Sequence, residues 1–361
     1  MYEYLTGLIR VLEKRLPDKT DIDRMIQAKT AKDVFDVLND TDYADNLLNR
    51  KPEDYDQVLA DDFNQLKKLL AESIGKTPLF DLLFIDFDFL NIKTILKQKF
   101  LKLDKTATAS QPISNLSLET AENIKKILLL KHQLAKLKAK KRQATAIELA
   151  GGKIDAQIAD TVNQIKKMKF DANIEASLKC LIDKLRKTKP ITPSLIDTAC
   201  DQELLKLKQL LAKKIKNKFI DNLIKMHIDF LNTKILLRTY ETKFKTPFIK
   251  GGLIDKNRLM HLYKADKQVF YTNLAELFEL YEISHVIDKF KEKKDLWRLE
   301  RELDSRTFDF VHTASKSASF GPEVIVSYFL NKMTGARNVR TILSGKLNGV
   351  EMEEIRERVI V

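Results

Sequence analysis

Apolar residues recur along this chain at helical rather than strand spacing. Near its start Leu5, Leu8, Ile9, Leu12 and Leu16 fall on one side and Arg10, Lys14 and Arg15 on the other, which predicts a folded amphipathic helix and not a signal peptide. Thr30-Ala-Lys-Asp33 reads as a capping box, and Pro52, Pro78, Pro193 and Pro322 each sit where a first-turn proline follows a cap. Strand alternation is nowhere sustained over five residues without an equally good helical register. Apolar runs such as Leu82 to Ile85 or Ile127 to Leu130 fall far short of the ~20 residues that a membrane helix needs. The pattern predicts an all-α chain joined by short loops.

Internal repetition carries more information than any single helix. Residues 66–96 laid over residues 207–237 without gaps give 13 identities in 31 positions. Among them are Asp88-Phe-Leu-Asn91-x-Lys93-x-x-Leu96 and Asp229-Phe-Leu-Asn232-x-Lys234-x-x-Leu237. A fainter third copy, Asn338-Val-Arg340-Thr-Ile-Leu343, follows Tyr328-Phe-Leu, with Gly335 in place of the Asp. A second similarity links Ile26 to Phe35 with Leu262 to Phe270. Three similar helical units are therefore expected, at 1–115, 116–250 and 251–361, with boundaries at Ser110-Gln-Pro-Ile-Ser and Thr246-Pro-Phe-Ile-Lys-Gly251-Gly252.

One stretch, 120–170, departs from the repeat. Ile127, Leu130, Leu134, Leu137 and Ala144 form one apolar seam and Ile154, Ile158, Val162, Ile165 and Met168 another, with Gly151-Gly152 between them. This is the pattern of a helical hairpin. Residues 123–147 hold eight Lys and Arg and no acid, so its first arm presents a basic face.

Composition sharpens the fold class. Gly (10) and Pro (8) are scarce in 361 residues, which argues against turn-rich β folds and glycine-looped nucleotide folds. Two cysteines, Cys180 and Cys200, with no CxxC, suggest neither a disulfide framework nor zinc and fit a reducing cytoplasm. The net charge of +13 is uneven: residues 125–250 carry 29 Lys+Arg against 12 Asp+Glu, leaving 35 against 39 elsewhere. A basic block of this kind suits a solvated surface, an acidic partner, an anionic membrane or a nucleic acid. A basic helical-repeat protein that binds nucleic acid or serves as a scaffold is thus the alternative reading. Residues 101–169 contain no aromatic residue, which weakens base stacking as its mechanism.

Sequence signals of catalysis are missing. Gly75-Lys76-Thr77 has Leu70 where a phosphate loop needs its first glycine, and Pro78 follows. His132, His227, His261, His285 and His312 have no metal-ligand spacing. Asp86/Asp88 and Glu353/Glu354 cannot face each other on a helix. No enzyme, cofactor or metal site is expected. The repeated helix is the better candidate. On it Asn91 and Asn232 join Asp88 and Asp229 on one face, while Lys93 with Lys97, and Lys234 with Arg238, form a basic face. Arg337, Asn338 and Arg340 supply the third copy, so a recurring partner-binding surface is expected on these residues.

At these positions the chain resembles the C subunits of archaeal and bacterial V-type (A-type) rotary ATPases, which correspond to the d subunit in eukaryotes. The matching pieces are Leu12-Glu13-Lys14-Arg15-Leu16, Asp40-Thr41-Asp42-Tyr43, Asp88-Phe-Leu-Asn91-Ile-Lys93, Gly251-Gly252-Leu-Ile254, Glu300 with Leu303, and the stretch from Tyr328 to Gly349. The resemblance implies three helical domains around a pseudo-threefold axis, forming a cup between the central shaft and the membrane ring. It further implies a non-catalytic rotor component of a V-ATPase, peripheral on the cytoplasmic face. Its partners would be the D and F components of the central shaft and the proteolipid ring, with no nucleic acid. Typical members are less basic and have a shorter segment at 120–170.

Overall fold

The structure is a computed structural model that describes residues 2–75, 77–101, 126, 130, 133–134, 136–142, 153–167, 172–187, 190–240, 248–293 and 295–360. Among them are helices α1 (Tyr2–Leu12), α2 (Lys19–Gln27), α3 (Ala31–Leu38), α4 (Ala44–Leu47), α5 (Tyr55–Ile74), α6 (Pro78–Leu101), α7 (Lys153–Lys167) and α8 (Ala172–Lys187). There follow α9 (Pro193–Ile215), α10 (Lys218–Thr239), α11 (Lys256–Lys264), α12 (Lys267–Phe278), α13 (Ser284–Lys293), α14 (Leu296–Ser317), α15 (Pro322–Leu347) and α16 (Met352–Arg358). No strand occurs among the described residues, so the chain is all-α. The seam positions Ile127, Ala144, Gly151, Gly152 and Met168, the stretch around residue 110, Thr246, Lys76 and His132 lie outside the described residues.

Local chemistry accounts for the helix boundaries. Thr30 and Asp33 exchange side-chain-to-backbone hydrogen bonds in the expected capping box, and Asp18 with Asp21 builds a second one before α2. Pro78, Pro193 and Pro322 open α6, α9 and α15, and Pro52 opens a 3₁₀ turn, where a missing N–H costs nothing. The first helix departs from expectation. It stops at Leu12 and gives way to a 3₁₀ turn over Glu13–Arg15, so Leu16 is not helical. The cause is Pro17: its ring excludes the α region from the preceding residue, and Leu16 is extended at φ −67°, ψ 145°.

Two compact units emerge. The first comprises residues 1–83 and 208–361 and the second residues 84–207. In the first, Ile22, Met25, Val34, Leu38 and Val58 share one apolar core with Val339, Ile342, Leu343 and Ile355. Segments from the two ends of the sequence thus bury each other, with α15 packed against α1, α2, α3 and α5. Buried apolar residues all round α15, from Val324 to Leu343, explain its central place.

The second unit contains most of α6, all of α7 and α8, and most of α9. Phe89, Ile92 and Leu96 of α6, Leu178, Leu181 and Leu185 of α8, and Ile196 and Cys200 of α9 are buried. In the 120–170 region Leu130 and Ile154 are buried, Lys141 pairs with Asp155, and Lys136, Lys138 and Lys140 are exposed.

Candidate functional site

The repeated helices α6, α10 and α15 carry the residues singled out by the sequence, and the structure separates them into two groups. The asparagines point inward, with Asn91 only 8% exposed, Asn232 1% and Asn338 4%. Asn232 donates its Nδ2 to the Ile249 carbonyl at 2.9 Å and accepts the Ile249 N–H at 2.8 Å. Asn338 does the same to Ile360, at 2.6 and 3.0 Å. Each of these two amide side chains therefore clips the backbone of a later residue, satisfying a donor and an acceptor that would otherwise be buried unpaired. The asparagine of these copies anchors the chain to itself, so it contributes no side chain to a recognition surface.

Asp229 performs a related task. It is fully buried, and its Oδ2 accepts the backbone N–H groups of Leu253 at 2.8 Å and Ile254 at 3.1 Å together with the Tyr281 hydroxyl. Burial raises its pKa, against the lowering effect of the Tyr281 hydroxyl and the two backbone donors. Its other oxygen lies where a side chain at residue 252 would begin, because a Cβ there would sit 1.8 Å from Oδ1. Gly251, at φ +103°, and Gly252 are thus required by the turn and by the carboxylate beneath it.

The basic members remain at or near the surface, and nearly all hold acids of the same chain. Lys93 pairs with Asp201 and Lys97 with Asp197 at 2.8 Å, tying α6 to α9. Arg238 reaches Glu300 at 2.8 Å, Arg337 reaches Asp304, and Arg340 lies 2.9 Å from Asp56. Lys234 is half-buried and has no ion-pair partner among the described residues. Such partly exposed pairs contribute roughly 0–1 kcal/mol each, so their chief effect is to fix the positions of long helices.

A buried polar cluster escaped the sequence reading. Lys332 of α15, 4% exposed, contacts Asp42 at 2.7 Å and also Asp62 of α5, with its ammonium 5.0 Å from the Tyr43 ring centroid. Burial pushes the Asp62 carboxyl up to about 6 despite the pull of Lys332, and Asp42 adds to the rise. The Tyr43 phenol is raised well above its ordinary value, first by burial and then by Asp62 and Asp42, and its hydroxyl has no hydrogen-bond partner among the described residues. The one signal of this site was the Asp40-Thr41-Asp42-Tyr43 motif. The cluster's two acids, Asp42 and Asp62, lie 290 and 270 positions from their lysine.

Few of these groups are poised for chemistry. Burial raises the Cys200 thiol to about 12, and Cys180 is also raised, first by burial and then by Glu203, so neither is an activated nucleophile. No group of three or more His, Cys, Asp or Glu able to hold a metal occurs among the described residues. What the arrangement does is fasten: long helices are clipped to backbone by amides, to one another by ion pairs, and to the N-terminal helices by a buried lysine.

Comparison with known proteins finds relatives along nearly the whole chain. The family model described as ATP synthase (C/AC39) subunit matches residues 5–358. The A-type ATP synthase C subunit of Methanocaldococcus jannaschii is 22% identical over 381 residues, covering 99% of this chain and 86% of that protein. Its counterpart in Thermococcus kodakarensis is 23% identical over 384 residues, covering 99% and 90%. The V-type sodium ATPase C subunit of Enterococcus hirae is 21% identical over 368 residues, covering 99% and 98%.

Proposed function

Because the chain belongs to the ATP synthase (C/AC39) subunit family, we propose that it is the non-catalytic rotor component of a V/A-type ATPase that couples the central shaft to the proteolipid ring. In this reading it grips the D and F components of the shaft on one side and rests on the ring on the other, peripheral to the cytoplasmic face. It would pass torque to ATP-linked transport of H⁺ or Na⁺. The observation that carries the proposal is the fastening of α10 and α15: a part that transmits torque must resist local opening. Both helices are held at backbone level by Asn232 and Asn338, and α15 also by a buried ion cluster. No described helix is long and apolar enough to cross a membrane, which suits a peripheral component. Three quasi-equivalent units, inferred from the sequence repeat, are part of the same reading, since three can enclose a shaft where one cannot.

The test is reconstitution of the complex with and without this chain. With it, shaft and ring should co-elute and ATP hydrolysis should drive ion transport. Without it, the soluble sector should still hydrolyse ATP while transport is lost. Full transport in the absence of the chain would refute the rotor role. The isolated chain is expected neither to bind nor to hydrolyse ATP, and micromolar ATP binding by calorimetry would count against the same reading.

A further inference from the structure

The turn from α9 into α10 carries Lys213, Lys214, Lys216 and Lys218, all exposed and without an ion-pair partner among the described residues. Lys213 and Lys214 close the last turn of α9, where a cation meets the negative end of the helix. The other two oppose their backbone. Lys218 opens α10, at the positive end of that helix. Lys216 is left-handed, at φ +56°, and its N–H bonds to the Ala212 carbonyl at 3.1 Å. In the sequence repeat its position falls on Gly75, which ends α5 at φ +60° with the same bond to Ala71, at 3.0 Å. The backbone here suits glycine, yet a lysine stands in a conformation that a Cβ makes costly. The aligned segment 72–77 holds one acid, Glu72, and one base, Lys76, so the basic charge belongs to this turn and not to the repeat. The acids close by are engaged: Glu323 accepts Asn217 Nδ2 at 2.9 Å, and Asp221 pairs with Lys225 at 2.6 Å. The Asn217–Glu323 bond also ties the turn to the loop before α15, where Phe320 is 60% exposed.

We propose that this turn docks on an anionic lipid bilayer, its lysines among the headgroup phosphates and the Phe320 ring at the acyl boundary. The kind of cation selects that occupant. Two-point recognition of a single carboxylate or phosphate uses the arginine fork, and the turn has no arginine; lysine is a hydrated point charge on a flexible stem. Four such charges suit a surface of many separate anions, to which each lysine adds its own share. An exposed apolar ring beside them suits the boundary between headgroups and acyl chains. A nucleic-acid strand would be held by free stacking rings as well, whereas Phe219, in the first turn of α10, is already stacked on Phe310 with centroids 5.5 Å apart. A lysine kept in a glycine conformation points to a role for its side chain outside the fold. The inference rests on the ATPase reading only to place a bilayer within reach.

The test is co-sedimentation of the intact chain with vesicles of phosphatidylserine and phosphatidylcholine at about 1:3, and with vesicles of phosphatidylcholine alone. Binding to the anionic vesicles only is expected, weakening as salt is raised. Lys213→Gln, Lys214→Gln and Lys218→Gln together should reduce it about a hundred-fold, at roughly five-fold per lysine. Lys136→Gln, Lys138→Gln and Lys140→Gln together, at exposed lysines elsewhere, should reduce it far less. Lys216→Gly separates binding from folding: it should weaken vesicle binding about five-fold while the melting temperature stays equal or rises. A lower melting temperature would assign that side chain to the fold and overturn the proposal. Equal loss from the two lysine triples would reduce the effect to overall charge and overturn it too, as would equal binding to neutral vesicles, no binding to anionic ones, or tighter lysine-dependent binding to single-stranded RNA or polyglutamate. If the 213/214/218 variant does not fold, Lys216→Gly and the lipid pair decide the matter. A chain that binds the shaft but no vesicle overturns the lipid surface and leaves the ATPase reading standing. One that binds anionic vesicles but not the shaft does the reverse.

Discussion

Replacing Asp62 by Asn tests the buried cluster through its pH dependence. In the folded chain Asp62 keeps its proton up to about pH 6, whereas unfolded it releases it near 3.8. Between those values the folded state binds more protons than the unfolded one. Its contribution to stability is therefore greatest below pH 4, falls as pH rises and levels off above pH 6. Over about two pH units at about 1.4 kcal/mol each, the ionised carboxylate costs about 3 kcal/mol relative to its protonated form. The asparagine of the variant has no proton to lose. The difference in unfolding free energy between variant and parent, read by urea denaturation followed by circular dichroism, should shift in the variant's favour by about 1.4 kcal/mol per pH unit from about pH 4.5 to 6 and then stay constant. The companion change, Lys332→Met, leaves Asp42 and Asp62 buried without their cation and should cost about 3–5 kcal/mol at neutral pH. A variant-minus-parent difference that is flat across that pH range, or a Lys332→Met cost below about 1 kcal/mol, would show the cluster to be hydrated and the reasoning unsound.

Asn338→Ala and Asn232→Ala each leave a buried N–H and C=O unpaired and should cost about 2–4 kcal/mol, with faster amide exchange at Ile360 or Ile249; unchanged exchange there would remove the clip from the account. Lys234→Glu, at a lysine with no ion pair to break among the described residues, should weaken shaft binding several-fold at low salt and much less at high salt; equal affinity at low salt would mark that face as solvated surface. Replacing residues 123–168 by a short flexible linker should leave a folded monomer that still binds the shaft, judged by circular dichroism and gel filtration. Aggregation would place the segment in the core of its unit.

Helix class, caps and proline-initiated helices could be read from the sequence because each depends on residues within a turn of one another. The early end of α1 was legible in principle, since Pro17 dictates the backbone of Leu16, but the apolar spacing through Leu16 masked it. The repeated Asn-x-[Lys/Arg] motif was found, yet Asn232 and Asn338 face inward where a partner surface was expected. From a single helix, a polar residue away from the apolar stripe reads as surface. What covers it is the backbone of Ile249 or Ile360, 17 and 22 positions later, and backbone donors and acceptors leave no signature in side-chain identity. For the same reason the basic stripe gave no hint that its acids lay on α5, α9 and α14. The lysine cluster was still less accessible, because a buried ion pair between Lys332 and Asp62 is written in two residues that look, singly, like solvated charge.

The third copy of the repeat shows why the asparagine recurs while the acid three residues before it does not. At Asp229 the carboxylate has three donors, two from the turn that follows Gly251-Gly252 and one from Tyr281, and burial is tolerable only because all three are present. At Gly335 the helix has no acid. A Cβ there would stand 3.7 Å from the hydroxyl of Tyr43, a tyrosine that follows α3 as Tyr281 follows α12. The polarity is inverted: the helix supplies a cation, Lys332, and the acids Asp42 and Asp62 come from the segments packed on it. Either arrangement compensates buried charge, so the position can drift between them provided that donors and acceptors change together. The asparagine has no such freedom. Its amide is uncharged, and it matches one N–H and one C=O that every residue type except proline presents, so the clip survives whatever side chain occupies the clipped position.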